Sequence, residues 1–129
     1  MKIDRLPIFL DQDGVLVPVE FSRLPFRPQR MFYVTAPKGE LRGDHAHFNC
    51  KQYLICAKGK IVVGLYDGIV EIKKVLWPGE GVFVDRMVWD NQVFVTGDDL
   101  LIVLSSMPYD KNDYIENKDE FKKLIRFRK

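Results

Sequence analysis

Apolar and polar positions alternate in short runs along most of this chain, and no run is long enough for an extended helix. The segments "GVLVPVE", "RMFYVTAP", "QYLICAKGK", "IVVGLYDG", "IVEIKKVLWPGEG", "VFVDRMVWDNQ", "VFVTGDD" and "LLIVLSS" are rich in β-branched and aromatic residues. Such runs, bounded by turn residues, read as strands. Lys58-Gly59, Asp67-Gly68 and Gly97-Asp98 supply hairpin-type punctuation between them. Strands this short and this evenly spaced predict an antiparallel sandwich or small barrel. The pattern changes near the end, where Asn117 followed by Glu120 reads as an N-cap with a capping-box partner. Phe121, Leu124 and Ile125 then recur at helical spacing. The expected fold is all-β, one domain over residues 1–129, with a short C-terminal helix covering the barrel.

Composition narrows the function classes. A chain of 129 residues with 47% hydrophobic residues and nine phenylalanines can bury a real core. A net charge of +2 is too weak to argue for nucleic acid. The basic tail "FKKLIRFRK" carries helix-spaced apolar residues, so it reads as a solvated helix face. The start, "MKIDRLPIFLDQDG", mixes charges and a proline with its apolar positions and does not form a signal-peptide pattern. No apolar run approaches the roughly 20 residues of a membrane span. Cys50 and Cys56 are the only cysteines, and without a secretory signal they read as packing residues. The expected compartment is the cytoplasm.

The chemistry concentrates in "ELRGDHAHFNCKQYLICAKGK". It holds His45 and His47, the only two histidines of the chain, one residue apart. On a strand both imidazoles point to one face, which suits either a metal grip or a proton relay. The spacing runs from Gly39 through His45 and His47 to Gln52 and Gly59, and it matches a first cupin motif with Gln52 in the usual glutamate position. Residues Phe48 to Lys51 would bend the chain so that Gln52 faces back toward the histidines. A degenerate second motif, "WPGEGVFVDRMVWDNQ", places Asp90 where a histidine is usual. His45, His47 and Asp90 could form a two-histidine, one-carboxylate triad for iron, although neutral Gln52 is a poor ligand. The pair could also be structural, and Asp90 reads equally well as a solvated turn residue before Asn91.

Longer stretches carry a more specific likeness. "DGVLVPVE", "LPF", "RMFYV", "RGDHAH", "QYLICAKGKIVVGLYDG", Val88-Trp89 and "YDKNDYIENKDEFKKLI" together resemble the cupin-type sugar 3,4-ketoisomerases that act on nucleotide-linked 4-keto-6-deoxyhexoses. The resemblance spans nearly the whole chain. It implies a jelly-roll β-barrel, no cofactor, no metal, and a homodimer that swaps an N-terminal strand. It also implies a substrate such as dTDP-4-keto-6-deoxyglucose. The product would pass to a PLP-dependent aminotransferase making 3-amino sugars for surface polysaccharide or a glycosylated natural product. Residue by residue, His45 and His47 fall on the catalytic pair, with proton abstraction assigned to His47. Arg42 falls on the motif arginine, Tyr33 and Gln52 on pocket-facing positions, and Arg30, Trp89 and Asp90 complete the implied substrate-binding set. Asp13 and Asp90 depart from the larger aromatic or basic residues expected there, which bears on the configuration at carbon 4.

The residue types suit that reaction independently. Moving a ketone to the adjacent carbon needs a base for the carbon 3 proton, an enediolate, and a proton for carbon 4. A neutral imidazole with an ordinary pKa of about 6.5 is a suitable base. Arg42 could stabilise the oxyanion or hold the diphosphate. An ionised Asp90 could do neither, since it only accepts hydrogen bonds and would repel an enediolate. The alternatives at this point are a metal-dependent cupin enzyme using His45, His47 and Asp90, and a non-catalytic nucleotide-sugar-binding cupin.

Overall fold

Every strand pair in the described chain is antiparallel, and the strands sort into two five-stranded sheets and one separate hairpin. The structure is a computed structural model and describes residues 1–128. In chain order the strands are β1 (Ile3–Arg5), β2 (Phe9–Asp11), β3 (Gly14–Leu16), β4 (Arg30–Val34), β5 (Leu41–His47) and β6 (Gln52–Lys58). They continue as β7 (Ile61–Tyr66), β8 (Glu71–Leu76), β9 (Glu80–Val84), β10 (Trp89–Phe94), β11 (Leu100–Ser105) and β12 (Tyr114–Ile115), followed by helix α1 (Lys118–Arg128). One sheet has the order β1-β9-β6-β11-β4 and the other β12-β5-β10-β7-β8. The β2–β3 hairpin pairs with neither.

The two sheets face each other across an interior filled by alternate residues of each strand. Leu54 and Cys56 of β6, Val82 and Val84 of β9, and Leu101 and Val103 of β11 meet Ile61, Val63 and Leu65 of β7 and Phe94 of β10. The first sheet is also covered outside: Tyr53, Ile55 and Leu104 pack under Leu6, Val19, Leu24 and Phe26 of the N-terminal segment. The second sheet is covered by α1, whose Phe121 is fully buried against Ala46, Met87, Trp89 and Ile115. Burying such a side chain contributes about 1.5–3 kcal/mol. The helix begins as its sequence predicts, with the Asn117 side chain accepting from the Glu120 amide at 2.9 Å.

Three strand expectations change. "VFVDRMVWDNQ" is not one strand but the end of β9 and the start of β10. Between them the Arg86 amide donates to its neighbour Asp85 at 2.7 Å, and Met87 adopts a left-handed φ of 59° that breaks the ladder. "GVLVPVE" is strand only over β3. Neither Lys58-Gly59 nor Gly97-Asp98 closes a hairpin, because β6 and β7, like β10 and β11, lie in different sheets, whereas Asp67-Gly68 does join the paired strands β7 and β8. Buried Asp99 shapes the β10–β11 crossover by accepting from the amides of Lys60, Thr96 and Gly97 and from the Thr96 hydroxyl. Burial alone would raise its pKa, but these four donors outweigh it and hold the carboxyl below its ordinary value.

The hairpin leaves Phe9, Leu10, Val15 and Leu16 exposed. Upstream, β1 pairs with β9 of its own chain. Both cysteines are buried and unpaired.

Candidate active site

The site is built on an irregularity in β5. Along its pairing with β10, Arg42 lies opposite Gln92, Gly43 opposite Asn91, and His45 opposite Asp90, so Asp44 has no partner. This is a β-bulge: one extra residue on one strand, which bends it and re-aims its side chains. Gly43 and Asp44 both take left-handed backbone angles, φ 75° and 66°. Glycine suits the first position because its φ of 75° is strained for other side chains, and a Cβ there would also press on the Gln92 amide at 2.8 Å. Aspartate suits the second, where its carboxylate accepts from Trp89 Nε1 at 2.9 Å and Asn91 Nδ2 at 3.3 Å. In a regular strand Arg42 and His45, three residues apart, would face opposite ways. The inserted residue brings both to the same cavity.

That cavity, about 190 Å³, opens between the sheets directly over the apolar core. Arg30, Arg42, His45, Gln52, Asp90 and Gln92 form its polar wall. Phe32 and Val34 of β4 with Leu54, Leu101 and Val103 form its apolar floor. Gln52 reaches it as expected, since the Phe48–Lys51 bend carries the chain from β5 in one sheet to β6 in the other. Asp113 fixes that bend, its carboxylate accepting from the Asn49 and Cys50 amides at 2.9 and 3.0 Å. Asp113 ends the short turn Lys111–Asp113, which delivers Tyr114 onto β5 opposite His47.

His45 and His47 share a face, their ring centroids 4.9 Å apart and nearly perpendicular. Tyr114 touches both, at 5.0 Å from His45 and 4.5 Å from His47. His45 lines the main cavity, whereas His47 is 4% exposed and lines a small recess behind Tyr114. Arg30 and Tyr114 border both spaces, and the Arg30 guanidinium stacks over Phe32 at 4.6 Å and Tyr109 at 5.2 Å. Burial lowers both histidine pKa values, and for His47 the nearby His45 and Arg30 add to the effect, bringing it to about 4 against a smaller opposing pull from Asp113. Both imidazoles are therefore neutral, with a free nitrogen lone pair, at neutral pH.

Two implied site residues face elsewhere. Tyr33 is 70% exposed on the outer face of β4, because alternation that turns Arg30, Phe32 and Val34 inward turns Tyr33 outward. Trp89 is buried under α1, not in the cavity, since its neighbour Asp90 takes the inward position on β10. Asp90 itself is 1% exposed within a strand, so the solvated-turn reading fails. The proposed iron triad is not assembled: among the described residues no three His, Cys, Asp or Glu side chains are placed to hold a metal ion. Asp13 lies in the exposed β2–β3 turn, off the cavity lining. Gln92 and Tyr114 belong to the site but carry no sequence-based assignment. Period two from Asp90 would have found Gln92, and "YD-x-x-DYI" contains Tyr114.

The model of the family described as FdtA: WxcM-like, C-terminal, matches residues 1–126. The chain belongs to this family. It is 36% identical over 127 residues to a TDP-4-oxo-6-deoxy-alpha-D-glucose-3,4-oxoisomerase of Aneurinibacillus thermoaerophilus, covering 96% of this chain and 91% of the relative. Its fold matches the sugar 3,4-ketoisomerase QdtA of Thermoanaerobacterium thermosaccharolyticum, solved with TDP, at a TM-score of 0.90 and 31% identity over 98% of this chain and 95% of that one. A histidine-to-asparagine variant of QdtA has been solved with TDP-4-keto-6-deoxyglucose. The TDP-quinovose 3,4-ketoisomerase WlaRB of Campylobacter jejuni matches at 0.86 and 32% identity, covering 95% and 96% of the two chains. The jelly-roll barrel with its terminal helix is thus the fold of the family's solved members.

The electrostatics predict the titration of the only two imidazoles. In the folded chain both should take up protons below the ordinary value of about 6.5, His47 near pH 4. Because the unfolded chain binds these protons first, the pair favours the fold above pH 6.5, and that contribution is lost as pH falls toward 4. Imidazole nitrogen NMR against pH checks this; a His47 midpoint at or above 6.5 would contradict it.

Proposed function

We propose that this chain is a nucleotide-sugar 3,4-ketoisomerase that converts a dTDP-4-keto-6-deoxyhexose to its 3-keto isomer by histidine acid–base catalysis. The observation that carries the reading is a pair of neutral imidazoles at a small polar cavity, in a family member whose relatives bear that activity in their names. One imidazole takes the carbon 3 proton, and the electron pair of that bond forms the carbon 3–carbon 4 double bond while charge moves to the carbonyl oxygen. The second imidazole moves a proton between the two sugar oxygens. Return of a proton to carbon 4 leaves the ketone at carbon 3. No electrons leave the sugar, so no redox cofactor is required.

The cavity suits the sugar end of the substrate. Arg42 is exposed at the cavity and half-buried Arg30 also lines it, which supports a diphosphate grip by Arg42 and a role for Arg30 nearer the sugar. The family resemblance assigns abstraction to His47. A second division of labour is favoured by the cavity lining, in which His45 meets the sugar and His47 orients it from behind Tyr114. The product is an acceptor for a PLP-dependent sugar aminotransferase, and the reaction belongs to the cytoplasm, where nucleotide sugars are made.

We further propose a homodimer. The hairpin of β2 and β3 pairs with no other strand of its own chain, and its exposed Phe9, Leu10, Val15 and Leu16 form a patch that pairing with a second copy would bury. Met31 and Tyr33, on the outer face of β4, extend the same kind of exposed surface. Sedimentation should give a dimer at micromolar concentration, and a stable monomer would contradict this.

Incubation with dTDP-4-keto-6-deoxyglucose in deuterated water, followed by NMR at carbons 3 and 4, tests the reaction. Turnover should persist in chelator, with deuterium entering at carbon 4 of the 3-keto product and at carbon 3 of recovered substrate. His47→Asn should lower turnover and exchange by about 10²- to 10⁴-fold, the usual contribution of a general base. If His47→Asn exchanges at the wild-type rate and only His45→Asn fails, His45 is the base. Unimpaired exchange in both variants would overturn the histidine mechanism.

A further inference from the structure

The cavity wall carries one acid that the histidine chemistry leaves unused. Asp90 lies directly across the β5–β10 ladder from His45 and lines the same space. Its Oδ1 accepts a short 2.5 Å hydrogen bond from Gln92 Nε2. Its Oδ2 is buried and has no hydrogen-bond partner among the described residues. A charged oxygen buried without a donor is costly, whereas a carboxylic acid places its own proton on that oxygen. Gln92, by donating to Oδ1, selects Oδ2 as the protonated atom.

We propose that Asp90 acts as a neutral acid whose Oδ2–H donates a hydrogen bond to the carbon 4 carbonyl oxygen of the sugar as charge develops there. This rests on the ketoisomerase reading above. When the carbon 3–hydrogen bond breaks, its proton goes to the histidine and its pair forms the new double bond. The carbonyl π pair moves onto the carbon 4 oxygen, and Asp90 keeps its proton while stabilising that oxyanion. A preorganised donor aimed at developing charge supplies a large share of the rate enhancement in many enzymes. The role also answers the objection that an aspartate would repel an enediolate, since only its ionised form does so. Gln92 is then a positioning residue.

The surroundings favour the acid form. Burial pushes the Asp90 carboxyl up, the Gln92 hydrogen bond pulls it back in part, and the Asp44 charge adds to the rise, leaving it at about 7. The groups around the cavity are Arg42 and His45 from β5, Arg30 from β4, Gln52 from β6 and Tyr114 from β12. The β7 residue opposite Asp90 is apolar Leu65, and β11 contributes apolar Leu101 and Val103. The two guanidiniums are the only groups of this set that favour ionisation by charge, and Arg42 is solvent-exposed.

The test is the pH profile of kcat/KM for dTDP-4-keto-6-deoxyglucose in wild type, Asp90→Asn and Asp90→Ala. Wild-type activity should fall as pH rises through about 7. Asp90→Asn keeps an N–H donor that does not titrate, so the activity that remains in it should lack that alkaline fall. Asp90→Ala should lose about 10²- to 10³-fold, as expected for a removed oxyanion donor. An unchanged alkaline fall in Asp90→Asn, or wild-type activity in Asp90→Ala, would overturn the proposal while leaving the isomerase reading intact. Wild-type protein inert toward the ketosugar would overturn the isomerase reading and this inference with it. If Asp90→Ala does not fold, carboxyl carbon NMR of the intact protein decides. A midpoint near 7 for Asp90 supports the role, and one near the ordinary value of about 3.9 overturns it.

Discussion

The site depends on one extra residue in a strand. Side chains on a strand alternate strictly, so inserting a residue exchanges the faces of everything beyond it. Asp44 is that residue, and it puts Arg42 and His45, three apart in sequence, on one cavity. The conformation is strained for any side chain other than glycine, yet Asp44 holds it with two hydrogen bonds from β10. One of those donors is Trp89, itself wedged under Phe121 of the C-terminal helix with ring centroids 5.7 Å apart. Helix docking and bulge geometry are therefore mechanically linked. The "RG-x-HAH" pattern thereby acquires a physical meaning: an arginine at the rim, a glycine and an aspartate to make the bulge, and two imidazoles beyond it.

The barrel interior is divided between two kinds of environment. One part is filled by Leu, Val, Ile and Phe side chains. The other part holds His45, His47, Gln52, Asp90 and Gln92, each at least half buried. Burial drives all the titratable members of this set toward their uncharged forms, the histidines by losing a proton and the aspartate by keeping one. A base and an acid thus stand ready at the same pH without a charge on either. Such opposed shifts on facing groups are the usual arrangement of acid–base sites.

Much of this was legible in the sequence because the relevant rules are local. Alternation marked the strands, Asn117 marked the helix start, and Phe121 with Ile125 marked its buried face. The one-residue spacing of the histidines fixed their common face, and the Phe48–Lys51 bend correctly returned Gln52 to them. What stayed hidden depended on facing and register. Trp89 and Asp90 are neighbours on one strand and could not both point inward; the helix that claims the tryptophan lies about 30 residues further on. Tyr33 fell on the outer face by the same parity that made Arg30 a cavity residue. The Gly43-Asp44 bulge left no trace in the hydrophobic pattern, since both residues are common in turns as well. Met87 divided a continuous apolar run through its backbone conformation alone.

The measurement that tests this account most directly is exchange of the carbon 3 proton of dTDP-4-keto-6-deoxyglucose with deuterated water by a protein carrying Gly43→Val and Asp44→Val. β-branched residues resist the left-handed backbone of the bulge, and a regular strand of unchanged length would return Arg42 and His45, three apart, to opposite faces. The account predicts a chain with the wild-type circular dichroism spectrum whose exchange has fallen by at least about 10²-fold, the lower end of a general base's contribution. Exchange at the wild-type rate by the doubly substituted protein would contradict it.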